Sequence, residues 1–194
     1  SHEGRCRTFE IDAALARRLK DLARRERATP FMTLLAAFEV LLARYSGQPD
    51  FAVGVPAAGR TRPELEPLVG FFVNMLPIRA DLAGRPTFVE LLGRVRERAL
   101  DAYEHQELPF ERLVTELAPS RDAARNPLFQ VSFALHPAGG AAWRLPGLVV
   151  DPLDDSRSES AKFDLSLTLT DADGVLRGSL VGAAALFDES TLAR

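Results

Sequence analysis

One segment limits what this chain can become. Thr29-Pro30 sets a hydroxyl where it can accept from a free amide, and a proline where no amide hydrogen is required. From there Phe31, Leu34, Leu35, Phe38, Leu41, Leu42 and Tyr45 recur at helical spacing until Gly47 stops the run. So many bulky apolar positions predict a deeply buried helix at the centre of the core. The chain has 194 residues, enough to bury roughly 70% of its unfolded surface, as one compact unit or two small lobes.

Around that helix the pattern alternates between periods. Residues 12–27 read as a helix capped by Asp12, with Leu15, Leu19 and Leu22 on one face and Arg17, Arg18, Arg24 and Arg25 on the other. Phe51–Val55 reads as a buried strand between prolines, and Phe71–Leu82 as a second. Thr87-Phe88-Val89-Glu90 is a capping box opening a helix to about Glu104, and Leu108-Pro109 breaks it from a short helix over Phe110–Leu117. Strands follow at Leu128–His136, Leu148–Asp151, Phe163–Thr170 and Val175–Val181, the last two joined by a tight turn at Asp171–Gly174. Asp188-Glu189-Ser190 opens a final helix. The order gives an α/β lobe, a mixed, partly antiparallel sheet flanked by helices.

Charge and cysteine content exclude several classes. Lys plus Arg number 24 against 27 Asp plus Glu, for a net charge of -3, so no chain-wide nucleic-acid footprint is expected. The single Cys6 rules out an intramolecular disulfide and suits a reducing cytoplasm. No apolar run approaches a membrane span, and Ser1–Arg5 is too polar for a signal peptide. The absence of an initial Met leads us to expect an excised or tagged piece.

Unaided chemistry stops short of an active site. His2, His105 and His136 form no local ligand pair, and the best cluster, His105 with Glu107 and Glu111, reads as a helix junction rather than a metal centre. There is no GxSxG elbow, and Gly54–Gly59 lacks the Lys-Ser/Thr ending of a phosphate loop.

The polar segments are more specific. Thr29–Phe38, Arg44-Tyr45-Ser46-Gly47-Gln48 and Val53–Arg60 resemble the second half of the condensation domains of nonribosomal peptide synthetases. Val69-Gly70-Phe71-Phe72-Val73-Asn74-Met75-Leu76-Pro77-Ile78-Arg79 is similar to that family's G-x-F-V-N-x-L-x-x-R motif. His105-Gln106-Glu107-Leu108-Pro109-Phe110-Glu111 resembles its H-Q-D-x-P-F-E motif, and Arg121-Asp122-Ala123-Ala124-Arg125-Asn126-Pro127-Leu128-Phe129 its R-D-x-S-R-N-P-L-F motif. With Phe163-Asp164-Leu165 and Leu186-Phe187, the ordered set covers nearly the whole chain.

The resemblance implies one chloramphenicol acetyltransferase-like lobe of a two-lobed domain, residues 1–194 being the C-terminal lobe without its N-terminal partner. In the family a tunnel between lobes receives 4'-phosphopantetheine arms from donor and acceptor peptidyl carrier proteins, with an adenylation domain as neighbour. The family's catalytic histidine belongs to an H-H-x-x-x-D-G motif; this sequence has no His-His pair, so the resemblance implies that the chain alone forms no amide. No cofactor is expected on the lobe itself, and no nucleic acid or membrane partner. Phe72–Leu76 looks like neither the epimerisation nor the heterocyclisation type. Ala124, Met75 and Gly182-Ala183-Ala184 depart from the family's usual residues and leave substrate class open.

On this reading Asn74, Met75, Gln130 and Ser132 are candidates for one tunnel wall. Asn74 has a second reading, a buried amide tying a strand to a loop. Gln130 and Ser132 alternate with Phe129, Val131 and Phe133, so they share one face. Arg60, with Arg17 and Arg18, is the candidate for contact with the carrier or its phosphate, and Arg60 has a second reading, pairing with a nearby acid such as Glu64 to hold its loop. Arg79, His105, Gln106, Pro109, Phe110, Glu111, Arg121, Asp122 and Arg125 are expected to hold structure, the arginines by pairing with acids such as Glu64 or Asp122. A competing reading of a different class is a non-catalytic module that binds carriers or tailoring enzymes.

Overall fold

A computed structural model describes residues 2–117, 125–137, 147–148, 160–172 and 174–194. It divides into two units, Leu22–Phe133 and Ser1–Asp21 with Ala134–Arg194.

In the first unit, α2 (Pro30–Ser46) begins as its sequence requires. Thr29 Oγ1 accepts from the Met32 amide at 3.2 Å, and the Thr29 amide points back to Met32 Sδ at 3.5 Å. Gly47 closes the helix in the left-handed region at φ 71, its N–H donating to Ala43 O. Strands β2 (Asp50–Ala57) and β3 (Asn74–Asp81) pair antiparallel, Val53 facing Ile78 and Val55 facing Leu76. The start of β4 (Val131–Pro137) runs parallel to β2 through Gly54 and Ser132, which makes the sheet mixed. One sheet face, Val53, Val55, Leu76, Ile78 and Ala80, is buried. The Phe31 and Phe38 rings of α2 lie 5.5 and 5.9 Å from Phe133 of β4. Helix α3 (Phe88–Glu104) packs on β3 and α2 through Leu91, Leu92, Val95 and Ala99. Its Thr87/Glu90 box is closed, the Thr87 amide donating to Glu90 Oε2 at 2.7 Å. Each fully buried leucine here is worth about 1.5–3 kcal/mol. A short helix, α4 (Phe110–Leu117), follows at once.

The second unit is built on a three-stranded antiparallel ladder, β1 (Gly4–Ile11) with β6 (Val175–Ala183) and β6 with β5 (Leu165–Ala172). Leu167, Leu169 and Leu176 are buried. Helix α1 (Ala13–Arg25) starts here, Asp12 Oδ1 accepting from the Ala14 and Leu15 amides at 2.8 and 2.9 Å. Lys20 reaches Asp171 of β5 at 2.6 Å. A last turn of helix, α5 (Glu189–Leu192), buries Leu192 against Gly182.

Three points differ from the sequence reading, and a fourth lies largely outside the described residues. β1 was absent from the pattern because its charges, Arg5, Arg7 and Glu10, fall on both faces and leave no clean alternation, and its partners lie far along the chain. The strand expected from Phe71 begins at Asn74, since Phe71 is 89% exposed and lies in a loop. Helix α2 is buried over its first half only; Leu41 and Tyr45 continue the stripe of Phe31 and Phe38 and are nonetheless exposed, so the apolar stripe runs past what covers it. The strand expected at Leu148–Asp151 lies largely outside the described residues.

Candidate functional site

The most heavily fastened part of the first unit is the corner between α3 and α4. Asn74, the first residue of β3, donates through Nδ2 to Gln106 O at 2.9 Å and Leu108 O at 2.8 Å. Its Oδ1 accepts from the Phe110 amide at 3.1 Å. One half-buried amide therefore satisfies two carbonyls and the first amide of a helix that proline cannot otherwise tie down. His105 caps α3, its Nδ1 lying 2.9 Å from Asp101 O, and Gln106 Nε2 donates to Tyr103 O. Phe110 seats its ring 5.3 Å from Phe129, while Glu111 sits in the first turn of α4. The stretch His105–Glu111 joins the end of α3 to the start of α4.

Arg60 governs the loop that leads into β3. Its guanidinium donates to the carbonyls of Leu65, Glu66 and Leu68, the last at 2.8 Å, and lies 4.4 Å over the Phe72 ring. The pairing with Glu64 expected from sequence is replaced by main-chain carbonyls, which a planar guanidinium can gather several at a time. Gly59, at φ 66, passes so close that a Cβ would lie 1.9 Å from Phe72 O. Thr61 Oγ1 donates to Glu107 at 3.0 Å, tying the same loop to the α3–α4 corner. Held at both ends, the loop presents Leu68, Val69, Phe71 and Val73 outward, Val69 fully exposed and Phe71 at 89%.

Met75 stands opposite Pro56, and Ser132 opposite Gly54, so both project from the sheet face away from α2 and α3. Gln130, just before β4, donates to Asn126 O at 2.9 Å, and all three are half-buried. The same face is partly filled by Phe129, whose ring occupies the space a Cβ on Gly54 would need. Arg79 forms a two-pronged pair with Asp50 at 2.8 and 2.6 Å, which holds the Asp50 carboxyl below its ordinary range. Arg17 and Arg18 are exposed on α1. Arg125 is exposed and has a bonding partner, whereas Arg121 and Asp122 lie outside the described residues.

Sequence reasoning passed over Glu39. It sits fully buried in α2 with neither carboxylate oxygen hydrogen-bonded, and burial pushes its pKa up to about 8. The signal was present as an acid inside an apolar run. Among the described residues no three His, Cys, Asp or Glu side chains gather as metal ligands. Among the described residues the geometry brings together a scaffold with two surfaces, an apolar loop and a sheet face.

Comparison with known proteins places this scaffold. The model of the condensation domain matches residues 1–194. A linear gramicidin synthase chain of Brevibacillus parabrevis is 48% identical over all of this chain, which spans 2% of that protein. Chondramide synthase of Chondromyces crocatus is 47% identical over 96% of this chain, which spans 5% of it. In three dimensions the X-domain from teicoplanin biosynthesis superposes with a TM-score of 0.88 at 31% identity, over 100% of this chain and 44% of that one. The condensation domain from the monacolin K polyketide synthase MokA superposes at 0.79 with 25% identity, over 95% of this chain and 43% of that one. The chain thus spans a small part of each synthetase and under half of each solved domain, and with its motifs in order and its mixed sheet flanked by helices it belongs to the condensation domain family of nonribosomal peptide synthesis.

Proposed function

We propose that the chain is the C-terminal lobe of an amide-forming condensation domain, joining carrier-bound aminoacyl or peptidyl thioesters in the cytoplasm. The observation that carries this reading is the match along residues 1–194 combined with coverage of only 43–44% of each solved domain. An N-terminal lobe supplies the remainder, including the histidine motif that this sequence lacks. The ordered apolar loop Leu68–Val73 is a surface of the kind that a partner covers, and the partner lobe is its proposed cover.

In the joined domain the acceptor amine is the nucleophile, and the protein's contribution is orientation and exclusion of water. Met75, Gln130 and Ser132 form this lobe's proposed tunnel wall. Asn74 fixes where β3 begins and so sets their height. Arg17 and Arg18 are the proposed docking cations for donor or acceptor carriers, whose phosphopantetheine arms deliver the thioesters. Arg60 supports the loop, its donors being occupied by carbonyls. A neighbouring adenylation domain loads the carrier.

The test is dipeptide formation from loaded carriers, followed by mass spectrometry. The chain alone should give no product, and the chain joined to its N-terminal lobe should give product that is lost when the motif histidine becomes Ala. Product from the chain alone overturns the reading. A second reading, a non-catalytic binding module, draws on one observation: the X-domain solved in complex with OxyB superposes at TM-score 0.87 with 30% identity. It gains if the joined domain folds, binds carriers and makes no amide.

A further inference from the structure

A groove of about 730 Å³ lies where α2 ends and α3 begins. Val40, Ala43, Leu82 and Phe88 give it apolar walls, and Arg44 and Arg85 stand beside them exposed. We propose that this groove docks an acidic peptide segment with apolar side chains, Arg44 and Arg85 binding its carboxylates. The inference does not depend on the function proposed above.

Three observations carry it. First, the two guanidiniums have no hydrogen bond or ion pair with any described residue, although acids are close in sequence. Asp50 is held by Arg79, Asp81 by Arg94 at 3.5 Å, and Glu90 by the Thr87 amide. Two positive charges are thus left uncompensated beside apolar surface, and a carboxylate is the matching charge-assisted partner.

Second, the walls are set before any ligand arrives. The Gly47 amide closes the last turn of α2, and the Leu82 amide donates to Pro49 O at 2.7 Å, joining the two sides. Arg94 Nη1 braces the intervening turn by donating to Asp81 O and Ala83 O, both at 3.0 Å. Within that turn Arg85 adopts φ 54, a left-handed conformation that a residue with a side chain avoids unless the surroundings impose it. A preformed surface loses less on binding.

Third, shape and charge select the partner class. The groove is neither enclosed nor flat, which suits a chain laid into it better than an engulfed small molecule. Two arginines over apolar walls lack the run of phosphate contacts that nucleic acid requires.

The test uses the full chain and a fluorescein-labelled peptide, Glu-Leu-Phe-Glu-Leu-Glu, followed by fluorescence anisotropy at low salt. Saturable binding with Kd below about 1 mM is expected, weakened at least about tenfold in R44E/R85E. Both positions are exposed, so the variant keeps its fold, verified by circular dichroism. The variant should in turn bind Lys-Leu-Phe-Lys-Leu-Lys better than the wild type does. A control of equal charge, Glu-Ser-Ser-Glu-Ser-Glu, should bind about fivefold more weakly, since it cannot use the apolar walls. Amide shifts on titration should centre on Ala43, Gly47 and Leu91. No saturation by about 1 mM, equal affinity of wild type and R44E/R85E, equal binding of the control peptide, or shifts centred elsewhere would each overturn the proposal.

Discussion

The two units hold themselves together differently. In Leu22–Phe133, polar side chains bind main chain at loops and corners: Asn74 at the α3–α4 corner, Arg60 in its own loop, Arg94 at the β3–α3 turn. The unit with Ala134–Arg194 relies on a β1–β6–β5 ladder, and its side-chain pairs, such as Glu10–Arg177 at 3.1 Å, are mostly exposed. A ladder satisfies its own backbone and asks only for alternating residues. A loop without a ladder needs particular donors at particular places. That is why the recognisable motifs cluster in the first unit, and it makes them fasteners before they are anything else.

The contrast can be broken by substitution. Gly59→Ala should be the most damaging, losing more than about 3 kcal/mol, because a left-handed residue would meet the Phe72 carbonyl. Urea melts measure this. Gly178→Ala in β6 is the counterpart: the nearest atoms to its Cβ belong to the Phe9 ring, which is 39% exposed and can swing aside, so about 1 kcal/mol or less is expected. Equal costs would break the comparison.

Asn74→Leu should follow at about 3 kcal/mol, leaving two carbonyls and one amide unsatisfied. A loss under about 1 kcal/mol would show the corner held by packing alone.

Glu39 gives a pH-dependent effect. Its folded pKa of about 8 lies above its ordinary 4.5, so the folded state binds the extra proton. Stability is therefore full below the ordinary value and falls as pH rises towards about 8, by up to roughly 1.4 kcal/mol per unit. Between about pH 6 and 8 the loss should be about 2 kcal/mol, and Glu39→Gln should flatten it. A wild-type curve as flat as the variant's would mean the carboxyl finds a partner. Smallest of all, Glu10→Gln should change stability by less than about 0.5 kcal/mol, since both members of its ion pair are exposed.

Much of the first unit was legible because its elements announce their ends. Thr29-Pro30, Gly47 and the Thr87/Glu90 box act within four residues of themselves, so sequence reads them directly. Long-range pairing was not legible. β1 finds β6 across most of the chain, and charges on both of its faces erase the alternation that would mark a strand. The site divides the same way. Asn74 was recognised as a polar residue in an apolar strand, and its partners 32 to 36 residues away came only from the fold. For Arg60, charge pointed to an anion while geometry supplied carbonyls and a ring. The match along the whole chain came from motif order, which survives even when single roles are misread.

The three bonds of Asn74 have a kinetic consequence. The first amide of a helix ordinarily exchanges its hydrogen with solvent as that helix frays. Phe110 N–H, closed by a side chain from β3, is instead freed only when the strand's first residue lets go. Deuterium uptake at Phe110 should then keep time with the opening of β3 rather than with the rest of α4, and a probe on one short helix would report on the strand behind it.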